Sequence, residues 1–484
     1  MGSPAKRVLR YEVAMPVDAF LADLSAVLPE RALVREQERV APWLTDWRGR
    51  WTGASKALLE PGTTEEVAII VRLSGEHRVG LVPQGGNTSM VGGATPPADG
   101  DAVLLSLRRM TRVRALEAGS AIVEAGVILA DLHAAAAASG QRFPLTLGAR
   151  GSATVGGLIA TNAGGTQVLR FGTMRAQVLG LEAVIAGGLV HDGLGGLKKD
   201  NRGTSLDQLL IGSEGTLGIV TAARLRLIPA IAERGVAWVG LDSAEAAWSL
   251  LGQLEEASER VEGFELVPAE CLASVLDHVP GTRSPLEQTH RWNALIEVTA
   301  GRGEPEPPTA TLERLLAPAL ESGRVADAVI AGSEAQAEAL WKLRDSISEA
   351  ERKRGPAAQH DISVPPAVMA RFMTDAATRV EHAFPGTRAF GYGHLGDGNV
   401  HFHVRAPAAS SRDWAESGEG KAVSRLVHDL VTDSGGSISA EHGIGQMKKD
   451  ELARLASPAR LQALRAIKQA MDPRGIFNPG KLVD

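Results

Sequence analysis

Apolar residues recur at helical spacing over 16–29 (PVDAFLADLSAVLP) and again over 63–73 (TTEEVAIIVRL), which predicts two amphipathic helices near the start of the chain. Thr63 and Glu66 stand at capping-box spacing, each side chain able to accept from the other's backbone N–H. From about 79 to 229 the pattern changes to short β-rich runs, VGLVP, AVLLSL, AIVEAGV and VLGLEAVI, separated by glycine-rich turns. One helix, LADLHAAAAASG, sits among them. Residues 232–300 and 310–405 read as a second domain. Strands such as GVAWVGL, WNALIEV and VHFHV alternate there with the helices SAEAAWSLLGQLEEA, EAQAEALWKLRDSISEAERKR and VMARFMTDAATRVEHAF. The stretch GRGEPEPPT, 301–309, is a loop inside it. The final helix begins at Pro458 and stops at Pro473.

A chain of 484 residues predicts two or three domains, and 44% apolar residues suffice to fill their cores. The net charge of -6 argues against a general nucleic-acid binder, which presents a basic face. Cys271 is the only cysteine, so an intramolecular disulfide and a cysteine zinc cluster are both excluded, and any metal must use His and carboxylates. The opening MGSPAKRVLRYEV lacks the apolar core of a secretory signal, and no run reaches the roughly 20 apolar residues of a spanning helix. The expectation is a soluble, cytosolic (cytoplasmic) protein with no membrane span.

Three glycine-rich loops stand out: 83–93 (PQGGNTSMVGG), 148–165 (GARGSATVGG running on to TNAGG) and 212–218 (GSEGTLG). Glycines let backbone N–H groups approach an anion, and Ser/Thr hydroxyls add donors, as a pyrophosphate requires. The candidate cofactor contacts are Pro83, Gln84, Gly85, Gly86, Asn87 and Thr88 in the first loop. The second offers Gly148, Ser152, Gly156, Gly157, Thr161, Asn162, Gly164 and Gly165, and the third Glu214, Gly215, Gly218 and Ile219. No Gly-Lys-Ser/Thr follows them, which disfavours ATP. Gly391–Gly396 matches G-x-G-x-x-G, but the residues after it read as a strand where a dinucleotide fingerprint must open a helix.

Three of the 12 histidines fall in His394-Leu-Gly-Asp-Gly-Asn-Val-His401-Phe-His403. Strand alternation puts His401 and His403 on one face, and the Gly-Asp-Gly turn can fold His394 back toward His401. Glu441-His442 follows in a glycine-rich loop, where adjacent residues can face one point. Two imidazoles and a carboxylate suit an open Zn²⁺ or Mn²⁺ site.

Together these segments resemble the FAD-linked oxidase family of the vanillyl-alcohol-oxidase type, in its D-lactate, glycolate and D-2-hydroxyglutarate dehydrogenase branch. The carrying motifs are PQGGNTSMVGG, GSATVGGLIATNAGGTQVLRFGTMR, LLIGSEGTLGIVT, GHLGDGNVH, AEHGIG and DPRGIFNPGK, spread over residues 51–484. The resemblance implies an α+β fold: a two-subdomain, PCMH-type FAD-binding domain, an antiparallel-sheet cap and a C-terminal helical segment. The corresponding divisions are an N-terminal helical segment 1–50, the FAD domain 51–230, the cap 231–430 and a completing segment 431–484. It implies His394, His401 and Glu441 as metal ligands and His442 as general base. Arg344, Ser348, Gln359 and His403 fall at substrate-facing positions, and Asn478 lies in a tail returning to the flavin. Gln359 stands where D-2-hydroxyglutarate-specific members often carry Lys, and His403 where they often carry Asn. No histidine lies between His77 and His133 or between His133 and His191, so non-covalent FAD is expected.

The implied reaction is oxidation of a D-2-hydroxy acid, D-2-hydroxyglutarate foremost, with D-lactate or another D-2-hydroxy acid as the alternative. The implied acceptor is a soluble electron-transfer flavoprotein or a quinone, and the implied assembly a homodimer. From the residues alone, a metal-dependent hydrolase and a non-catalytic flavin electron-transfer subunit are the rival classes. The intact Glu441-His442 pair speaks against the second.

Overall fold

The computed structural model describes residues 16–483. The opening stretch read above for a signal sequence lies outside them. The architecture is α+β, with three main sheets and helices packed on them.

The helix Pro16–Val27 buries Phe20 and Leu24 in one core with Val67, Ile70 and Val71 of Thr64–His77. The second helix runs four residues past the expected end and closes on Arg78 in the left-handed region. Only half of the capping box forms. Thr63 accepts from Glu66 N–H, but the Glu66 carboxylate accepts from Gly62 N–H at 2.6 Å.

Behind these helices, strands Leu33–Val34, Leu58–Leu59, Ala102–Ser106 and Gly80–Gln84 form a four-stranded sheet, its last two junctions parallel. The chain's end completes it. Leu81 N–H donates to Ile476 O and Asn478 N–H to Leu81 O, so the tail lies along the outer strand. An antiparallel five-stranded sheet follows, ordered Val113–Glu117, Ser120–Glu124, Ile219–Arg226, Val178–Ile185 and Leu189–Asp192.

The third sheet is wholly antiparallel, seven strands in the order Asp327–Ile330, Ile231–Leu241, Trp292–Gly301, Val261–Pro268, Arg388–His394, Asn399–Arg405 and Ala357–Ser363. Helices Ala244–Ala257, Pro308–Glu321, Pro366–Ala383 and Gly418–Asp433 share one of its cores; Ala269–His278, Glu334–Asp345 and Ile347–Arg354 share another. Gly391–Gly396 runs through the end of a strand into a hairpin turn, His394 pairing with Asn399, and opens no helix. The stretch expected as one helix from 334 to 354 breaks at Ser346, where ψ is -5°. The loop at 301–309 is shorter than expected, because Pro308 already starts a helix. Pro's fixed φ suits that first turn.

The seven-stranded sheet is tied to the N-terminal half by an ion cluster around the buried Glu262. Arg142 Nη2 lies 2.8 Å and Arg170 Nη1 3.2 Å from Glu262 Oε2, which also accepts from Thr299 Oγ1 at 2.8 Å.

Candidate active site

The three glycine loops converge because only glycine allows their backbones to touch. A Cβ at Gly85 would stand 2.1 Å from Thr154 Oγ1, one at Gly86 1.8 Å from Ser152 O, and one at Gly215 2.4 Å from Pro83. Between them lies a cleft lined by Gly85, Thr154, Gly156, Gly157, Ser213, Gly215 and Gly218, among others. The polar side chains of the loops are partly committed to holding the site together. Glu214 accepts from Ile444 and Gly445 N–H at 2.7 Å each, and Asn478 Nδ2 donates to Gly93 O and Glu214 O. Gln84 and Asn87 donate to Trp43 O and Thr45 O, and Asn162 accepts from Arg175 N–H. Thr161 bonds back to Gly157 O. Gly164 comes within 3.6 Å of Glu441 Oε1, measured from its ideal Cβ, so the second loop reaches the histidine cluster. Gln84 Oε1 and Asn478 Oδ1 are buried acceptors without donors, which fits a bound group that brings N–H.

The hairpin turn between Arg388–His394 and Asn399–Arg405 brings His394 and His401 together, their ring centroids 5.7 Å apart. Glu441 joins them from the C-terminal loop. One ligand atom from each of the three lies within 4.8 Å of the others. Two nitrogens and one carboxylate oxygen at this spacing fit a divalent ion. Burial, then the charge of Asp361, pushes Glu441 up to about 7. Burial draws His401 well down. Burial also pulls on His394, but the adjoining Glu265 carboxylate outweighs it and raises that ring to about 9.

Residues 231–482 match the family model described as FAD linked oxidases, C-terminal domain, and residues 55–193 the one described as FAD binding domain. The chain belongs to the FAD-linked oxidase family. This FAD-linked oxidase is 38% identical over 472 residues to the mitochondrial D-2-hydroxyglutarate dehydrogenase of Bos taurus, covering 96% of this chain and 83% of that one. It is 36% identical over 470 residues to the D-2-hydroxyglutarate dehydrogenase of Xanthomonas citri pv. viticola, covering 96% and 97%. Its fold is that of p-cresol methylhydroxylase, with a TM-score of 0.75 at 15% identity over 97% of each chain. It is a flavin-dependent oxidoreductase that binds FAD.

Three parts of the oxidase's site were not among the sequence candidates. Glu265, in the middle strand Val261–Pro268, accepts from His394 Nδ1 at 2.5 Å and from Arg344 Nε at 2.8 Å. Burial raises its pKa, but the two cations hold it at about 2. Arg344, expected to face the substrate, is therefore already paired through Nε, and its Nη2 lies 3.4 Å from His394 Nε2. Asp361, on Ala357–Ser363, accepts from Glu441 and His442 N–H at 2.9 and 3.0 Å and lies 3.4 Å from His442 Nδ1. It fixes the loop that presents both residues. It lies two residues past Gln359, hence on the same strand face, and that spacing was the available signal. Arg48 is the third, 311 residues from its partner Gln359.

Asp361 and Arg48 line one pocket together with His401, His442, Gln359, His403 and Ser348. Ser348 Oγ is bound to Tyr392 Oη at 2.9 Å. Burial, with Arg48 and Arg405 nearby, pulls His403 down to about 3, so it is neutral and supplies no positive charge.

Proposed function

We propose that this oxidase converts D-2-hydroxyglutarate to the 2-oxo acid, with FAD bound non-covalently and Zn²⁺ or Mn²⁺ held by His394, His401 and Glu441. The observation that carries the reading is that donor set adjoining a carboxylate-backed histidine through Glu441, in a chain 38% identical to a D-2-hydroxyglutarate dehydrogenase. Non-covalent binding is supported by the absence of histidine from all three glycine loops, 83–93, 148–165 and 212–218; the histidines that flank them in sequence are otherwise engaged. His77 bonds Asp23, His133 bonds Leu145 O and His191 bonds Asp207.

FAD, when bound, supplies the hydride acceptor. A divalent ion, when bound, supplies Lewis acidity toward the hydroxyl oxygen. The chain's own residues do the rest. His442 takes the hydroxyl proton, and Asp361 behind it favours the imidazolium that results. Burial lowers His442 below its ordinary value, so the ring is a free base at neutral pH. Glu265 holds His394 through Nδ1 and leaves Nε2 toward the donor set. The seven-stranded sheet supplies Gln359, Asp361, His401 and His403 to the pocket.

Metal removal tests this reading. A chelator should abolish flavin reduction by D-2-hydroxyglutarate while the protein stays yellow, and Zn²⁺ or Mn²⁺ should restore it. Full activity in a protein without stoichiometric metal would refute the metal assignment.

A further inference from the structure

Asp46 builds a tight loop between Thr45 and Thr52. Its carboxylate accepts from Trp51 N–H at 2.6 Å and Arg48 N–H at 3.2 Å, and Gly49 takes the left-handed conformation at φ +68°. Asn87 of the first glycine loop anchors this turn through Thr45 O. The turn presents Arg48 to the pocket from the flavin side. There Arg48 Nη1 donates to Gln359 Oε1 of the cap at 3.0 Å.

Among the described residues no carboxylate makes an ion pair with the Arg48 guanidinium, and Arg50 and Arg352 each repel it more strongly than Asp46 attracts it. Burial first, then that repulsion, pulls Arg48 down to about 10. The other guanidiniums beside the pocket are neutralised, Arg344 by Glu265 and Arg405 by Glu351. A half-buried guanidinium that bonds a neutral amide, beside a neutral His403, suits a negatively charged ligand group.

Its position selects the anion. On the sheet, Gln359 pairs with His403, and Asp361 with His401. The two rows are one two-residue step apart, about 7 Å along the strand. That is the reach of a five-carbon diacid whose hydroxyl end sits by His401 and His442.

We infer that Arg48, positioned by Gln359 and supported by Arg50, is the residue that binds the distal carboxylate and selects dicarboxylic over monocarboxylic 2-hydroxy acids. The inference rests on the proposed function above. It makes a lysine at position 359 unnecessary, because the charge enters from the opposite wall.

The test compares kcat/KM for D-2-hydroxyglutarate and D-2-hydroxybutyrate in the holoenzyme and in Arg48→Leu. Calorimetric binding of glutarate runs alongside and needs no turnover. Arg48→Leu should lower the diacid-to-monoacid ratio about 10- to 100-fold, mostly through KM, and weaken glutarate by a similar factor. The double variant Arg48→Leu/Gln359→Lys should recover most of the loss by returning a cation to the same place. An unchanged ratio, or an equal fall for both acids, would overturn the inference. If Arg48→Leu fails to retain flavin, phenylglyoxal labelling of the native holoenzyme takes its place. Glutarate should protect Arg48 and butyrate should not; equal labelling in the two would overturn it. Failure of the underlying reading looks different: no 2-hydroxy acid would reduce the flavin, while glutarate binding would still report on Arg48.

Discussion

His394 Nδ1 lies 2.5 Å from Glu265 Oε1, and the same carboxylate holds Arg344 through its other oxygen. One buried glutamate thus orients a candidate metal ligand and neutralises the nearest arginine. Removing its charge should affect metal before substrate.

Glu265→Gln should weaken metal binding about 10- to 100-fold, the usual cost of losing a carboxylate behind a ligating histidine. Metal titration of the chelated protein, followed by recovered activity, measures it. Unchanged affinity would show that Glu265 serves Arg344 alone.

His442→Ala should keep FAD and metal but slow flavin reduction about 10²- to 10⁴-fold, because only the proton acceptor is removed. Stopped-flow absorbance reads this directly. Reduction at a near-native rate would move the base elsewhere in the pocket.

Glu262 ties the cap to the flavin-side half through Arg142 and Arg170. Glu262→Ala leaves the partly exposed Arg142 and Arg170 without their carboxylate, which should cost about 1–3 kcal/mol, since solvent reaches both guanidiniums. The urea midpoint should fall with little change in slope. A midpoint within error of the native value would place the cap's attachment elsewhere.

The strand Val261–Pro268 explains why parts of this site escaped the sequence. All eight of its residues are buried, since helices cover both faces of the cap sheet, so no apolar–polar alternation marks it. Glu262 and Glu265 make it look interrupted, yet each is there to hold cations. By contrast, VLGLEAVI forms the strand Val178–Ile185 along its full length, and the His394–His401 turn was readable from its Gly-Asp-Gly spacing. Arg48 carried no local signal. Its role depends on a contact across 311 residues, and only the fold brings that together.

Acid should destabilise the fold from below about pH 6.5. His360 is bonded to Phe402 O and Ser424 Oγ and packs edge-on against His428; burial lowers both rings. The Lys448 ammonium also opposes a proton there. Below the ordinary histidine pKa the unfolded chain takes protons that the native state refuses, so stability is lost as pH falls. Thermal melts from pH 7.5 to 5 (roughly one unit on either side of that pKa) should show a decline, shallower in His360→Asn. A flat profile would show that these histidines titrate alike in both states.

The central claim is tested most directly by anaerobic mixing of the holoenzyme with each enantiomer of 2-hydroxyglutarate while the flavin absorbance is followed. The account predicts rapid, complete bleaching by the D-acid, none by the L-acid, and flavin released to the supernatant on later acid precipitation. A flavin that stays oxidised with D-2-hydroxyglutarate, or is reduced equally by both enantiomers, would contradict it.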